Sequence, residues 1–203
     1  MQRGLTKFTG LALAALFLAS CANDMSEEEI LAHAAQLHSS LITVDTHDDI
    51  PSNFATEEVD PGEREGRQVT LPKMREGGLD VAFFVVYVGQ GERNPDAYGR
   101  AKEDALMKFE AIHRMAEEMH PDQIEIAYTP DDVERIVEGG KLASVICIEN
   151  GYIVGRDKTL VEQYYNLGAR YMTLTHGGHN DIGDSSTPRE QLGDAEEEHG
   201  GLS

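Results

Sequence analysis

Residues 80–89, DVAFFVVYVG, form a continuous apolar run with no polar alternation. A strand with one wet face alternates apolar and polar side chains, so this run predicts a strand buried on both faces, as in a parallel sheet. LASVICIE at 142–149 repeats the pattern, and two further apolar runs, LITVDTH (41–47) and RYMTLTH (170–176), end in polar side chains. Parallel strands need long crossovers, and the sequence supplies helices between the runs. The reading is α/β. A doubly wound sheet and a (β/α)8 barrel both fit four strands joined in this way.

The helices are marked at their ends. Residues 25–40 open with Ser26 and Glu29 as a capping box and place Ile30, Leu31, Ala34, Leu37 and Leu41 at helical spacing. Residues 55–78 read as a loop holding a short helix near 70–76. A long amphipathic helix spans 96–119, with Ala101, Ala105, Phe109, Ile112 and Met115 on its inner side. Thr129 and Pro130 start another helix that Gly139 and Gly140 stop, and TLVEQYYNLGA gives the next, ended by Gly168. Residues 177–203 read as a loop rich in Gly, Asp and Ser.

The N-terminus reads as a targeting segment. Arg3 and Lys7 precede an apolar stretch, Leu11–Leu18, that is too short to span a bilayer as a stable helix, and Leu18-Ala19-Ser20-Cys21 is similar to a bacterial lipobox. The expectation is a signal peptide over 1–20, acylation at Cys21, and an exported lipoprotein of the cell envelope, with the outer membrane and periplasmic side preferred. Residues 21–40 then form the lipidated N-terminus and first helix, and 41–203 the folded unit. With Cys21 lipidated, Cys147 has no disulfide partner, and its apolar surroundings predict a core thiol rather than a nucleophile. A net charge of −20 argues against nucleic acid or an anionic membrane surface as a partner.

Chemistry in parallel α/β folds collects at the C-terminal ends of strands. There the sequence places His47 and Asp49, then Glu149, then His176; the strand at 80–89 ends on Gly89 and offers no candidate. Side chains alternate along a strand, so His47 and Asp49 point the same way, as an H-x-D pair does when both bind one ion. Imidazole and carboxylate suit zinc. A glutamate from a neighbouring strand can bridge two ions. His179 and His199 lie in the loop and read as poor substitutes for ligands.

In this order and spacing, VDTHDDIP, ICIENG and GARYMTLTHGGHNDIGDSS resemble the membrane (renal) dipeptidase family, zinc peptidases of the metal-dependent hydrolase superfamily. The resemblance implies a (β/α)8 barrel that hydrolyses dipeptides through hydroxide activated by two zinc ions, and a homodimer in the complete enzyme. It implies His47 and Asp49 on the first zinc, Glu149 bridging both, His176 contacting substrate near the scissile carbonyl, and Asp184 supporting the site. The second zinc's two histidines and a later aspartate have no counterpart here, so the chain reads as about the first four βα units, an N-terminal half expected to be inactive alone. The rival readings are a related amide, lactam or lactone hydrolase and a non-catalytic surface lipoprotein that binds small peptides or metal.

Overall fold

The computed structural model of the protein describes residues 25–203. The predicted signal peptide and the predicted acylation at Cys21 lie outside the described residues. The chain divides into two compact units, one ending at Gln36 and the other running from Leu37 to Ser203. Helix α1 (Glu27–His38) has the predicted capping box: the Glu29 carboxylate accepts from the Ser26 N–H at 2.8 Å, and the Glu29 N–H donates back to Ser26 Oγ at 3.3 Å. No residue of α1 is buried.

The second unit is a parallel sheet of five strands, β1 (Val44–Asp49), β2 (Val81–Tyr87), β3 (Ile124–Ile126), β4 (Leu142–Glu149) and β5 (Ala169–Met172). Strand β2 lies between β1 and β4. Beyond β4, the short β3 pairs along its first half and β5 along its second. The order β1-β2-β4-β5 advances without the reversal that defines a doubly wound sheet. The sheet also curls. The Tyr171 hydroxyl on β5 donates to the Thr46 carbonyl on β1 at 2.7 Å, which a flat sheet forbids, since two strands at about 4.8 Å spacing lie between.

Three of the strand readings need correction. The first strand begins at Val44 instead of Leu41 and runs on to Asp49, because Thr43 is held by Asp80 (Thr43 N–H to Oδ2, 2.9 Å) before the ladder begins. It is not buried either: among the described residues only one of its edges is paired, and Val44 is 49% exposed. The last strand ends at Met172, which leaves His176 in the loop beyond it. Strand β3 was not foreseen; three residues carry too short a pattern to read.

The helices follow their end signals. Thr70 caps α2 (Leu71–Gly77), Asn94 caps α3 (Pro95–Arg114) and Thr129 caps α4 (Pro130–Glu138), each followed by a proline in the first turn. Helix α3 continues as a π-helical turn, Met115–Met119, and α5 spans Thr159–Asn166. Alternation along β2 sorts the packing. Ala82, Phe84 and Val86 join the larger core with α2, α3 and α5, where Phe109 stacks on Tyr164 at 5.6 Å. Val81 faces the other way and packs with Ala143, Val145 and Ile136 of α4. Helix α4 therefore fills one part of the second face, and the polar strand ends occupy another.

Candidate metal centre

Strand register brings the predicted residues together. Tyr87 is paired with Glu149 across β2 and β4, and Asp49 with Val85 across β1 and β2, so the ends of three strands meet at one level. His47 Nε2 lies 3.3 Å from Glu149 Oε2 and 3.9 Å from Asp49 Oδ2. One ligand atom from each of the three residues falls within 4.8 Å of the others. One imidazole and two carboxylates form a donor set that suits zinc or a similar divalent cation. His176 Nε2 stands 3.5 Å from Glu149 Oε1, and its ring meets the edge of Tyr87 with centroids 5.1 Å apart. Exposure is graded. The side chain of Asp49 is 61% exposed, that of His47 40% and that of Glu149 16%.

Side chains from outside the sheet hold the end of β1. Arg67 donates to the Asp49 carbonyl, and Lys108 of α3 donates to the Ile50 carbonyl at 2.8 Å, so two cations from separate elements hold consecutive carbonyls at the end of β1. Asp48, between the two candidate ligands in sequence, is buried, and one of its carboxylate oxygens has no hydrogen-bond partner. Burial pushes its carboxyl up to about 6, against the downward pull of Arg67. Behind Glu149, Asn150 is fully buried with its backbone at φ +77°.

The other candidates fall into place as structure. Cys147 is buried, and burial raises its thiol to about 11, which keeps it protonated at neutral pH. His179 accepts from the Ser185 N–H at Nδ1 (2.9 Å) and donates from Nε2 to the Ala195 carbonyl (3.0 Å), so neither ring nitrogen is left for a metal. Asp184 lies away from the three-residue cluster and organises the terminal loop. Although partial burial opposes it, the N–H groups of His199, Glu198 and Gly200 hold its carboxyl down at about 2. His199 is exposed in that same loop. Two side chains at the site were missed in the sequence: Tyr87, where strand two was read as ending on Gly89, and Asn150. Counting back in twos from the strand end would have put Tyr87 on the same face as Phe83.

The model of the family described as membrane dipeptidase (peptidase family M19) matches residues 31–203. The chain belongs to the membrane dipeptidase family. Its relatives include dipeptidase aclJ of Aspergillus oryzae, 34% identical over 141 residues that make up 67% of this chain and 32% of that protein. Dipeptidase ataJ of Aspergillus terreus is 27% identical over 181 residues, 82% of this chain and 43% of that one. Among solved structures, the probable dipeptidase PvdM from Pseudomonas aeruginosa superposes with a TM-score of 0.80 at 26% identity, over 88% of this chain and 45% of its own. The membrane dipeptidases are metallopeptidases that hydrolyse peptide bonds. The sheet β1-β2-β4-β5 is thus the α/β barrel architecture of this family over roughly half its length, and the chain spans about a third to a half of the relatives it matches.

Proposed function

We propose that this chain carries part of a zinc dipeptidase centre. His47 and Asp49 would hold one ion, Glu149 would be the ligand shared with a second, and His176 would contact the substrate. The observation that carries the reading is the convergence of His47, Asp49 and Glu149 from two strands within 4.8 Å. Three protein ligands with an open outer side are what a catalytic zinc site requires. Zinc held there would supply Lewis acidity toward the peptide carbonyl and lower the pKa of water toward 7.

The chain's own residues set the rest. Glu149, paired with Tyr87 and half-buried, presents one oxygen toward His47 and the other toward His176. His176, beyond the end of β5 and with its ring on Tyr87, is placed to donate a hydrogen bond to negative charge developing on the substrate oxygen. A dipeptide is the substrate class the family implies. Export and acylation at Cys21 belong to the same proposal and rest on the sequence alone; incorporation of labelled palmitate in the parent but not in Cys21→Ala tests them.

The deciding experiment measures zinc per folded chain after size-exclusion chromatography, followed by assay of Gly- and Ala-containing dipeptides against lactones. Bound zinc that disappears in Asp49→Ala, with dipeptides cleaved in preference to lactones, is the expected result. Asp49→Ala with full zinc content would overturn the ligand assignment.

A further inference from the structure

We infer that Asn150 is a positioning residue for the centre: its buried amide fixes the backbone turn that aims Glu149 at His47. The inference rests on the proposed reading of Glu149 as a ligand. Among the described residues, Ala55 and Asn150 alone have positive φ without being glycine, and Asn150 (φ +77°, ψ +100°) directly follows Glu149. An L side chain rarely adopts that conformation, and such strain persists only where the surroundings enforce it.

The surroundings do so through one amide. Asn150 Nδ2 donates to the Val88 carbonyl at 3.1 Å and to Gln90 Oε1 at 3.4 Å, both in the segment that leaves β2. Its Oδ1 accepts from the Tyr152 N–H at 3.3 Å, which closes the turn, and from Asn180 Nδ2 at 3.1 Å. Asn180 in turn donates to the Leu174 carbonyl at 2.8 Å, two residues before His176. The backbone N–H of Asn150 donates to Thr173 Oγ1 at 2.9 Å. The exit of β2 is thereby tied directly to the Asn150 side chain, which is fully buried with all four of its hydrogen-bonding positions filled, and the exit of β5 is tied to it through Asn180 and to the Asn150 backbone N–H. Asn180, with its own Oδ1 accepting from Ile182 and Gly183, is the second half of the clamp. A buried network satisfied to this degree fixes geometry as well as adding stability.

Asn150→Gly separates the two contributions, because glycine accepts positive φ freely and only the amide is lost. The metal-free readout is the His47 imidazole Cε1–H signal in proton NMR at pH 8, assigned with His47→Gln and compared among the parent, Glu149→Gln and Asn150→Gly. The second readout is zinc affinity, by competition against a chromophoric chelator on the same full-length samples. If Asn150 aims Glu149, the His47 signal in Asn150→Gly moves to its position in Glu149→Gln, and zinc affinity falls at least tenfold while the chain stays folded. Asn150→Asp, which keeps the acceptor but loses both donors to the β2 exit, shifts the signal the same way. A folded Asn150→Gly with the parental His47 signal and parental zinc affinity overturns the inference. If the parent binds no zinc but the NMR pattern appears, the metal reading fails and the positioning role stands.

Discussion

With no cation between them, Asp49 and Glu149 are a liability, and Glu149→Gln should show it. Their nearest candidate ligand oxygens lie within 4.8 Å, where two unit charges repel by about 3.5 kcal/mol at an effective dielectric of 20 and about 0.9 kcal/mol in bulk water. Asp49 is well exposed, so the lower part of that range applies, roughly 1–2 kcal/mol. Metal-free Glu149→Gln is therefore expected to be as stable as the parent or more stable by up to about 2 kcal/mol. With zinc the order reverses. At free zinc a hundredfold above its dissociation constant the parent gains about 2.7 kcal/mol, and the variant should gain little of it. Urea melts at pH 8, with chelator and with buffered zinc, read both quantities from one pair of proteins. A variant that loses stability in chelator, or gains as much from zinc as the parent, would refute the reasoning.

Three other outcomes follow from the geometry. His176→Ala should leave zinc affinity within about twofold, because the proposed role of His176 is toward substrate; loss of zinc equal to that of Asp49→Ala would make it a ligand. Asp184 is held at about 2 by three backbone N–H groups, below its unfolded value, so its stabilisation is present above the ordinary carboxylate range and is lost as pH falls toward 2. Asp184→Asn should flatten the fall in urea midpoint between pH 4 and pH 2, and parallel profiles for the two proteins would count against the assignment. Gly151→Ala puts a methyl carbon 2.9 Å from the Leu174 carbonyl oxygen and 2.5 Å from Ile182 Cδ1, an overpacking that should cost about 1–3 kcal/mol in a thermal melt.

What could be read from the sequence, and what could not, follows from the range of the interactions. Helix starts depend on contacts within four residues, so Ser26 and Thr129 announced their helices correctly. His47, Asp49 and Glu149 were legible because strand periodicity and the topology of parallel sheets together set where side chains gather. The edge of β1 was not legible. LITV reads as buried, but burial depends on whether a neighbouring strand lies alongside, and that is a long-range fact. His176 comes beside Glu149 although its strand ends four residues earlier, since Thr173 and Leu174 continue along the end of β4 through hydrogen bonds to Ile148 and Gly151. Asn150 escaped notice because a polar residue after a strand usually marks a turn, and its importance lies in partners 60 residues back and 30 residues ahead.

On the proposed ligand assignment, the graded exposure of the three residues would give metal uptake a sequence in time. An incoming hydrated cation would meet Asp49 first, exchange a water there while still largely in solvent, and reach the recessed Glu149 last. Changes at Asp49 should therefore act mainly on how fast the ion is captured, and changes at Glu149 on how long it stays. Asn150, seated behind Glu149, belongs with residence time.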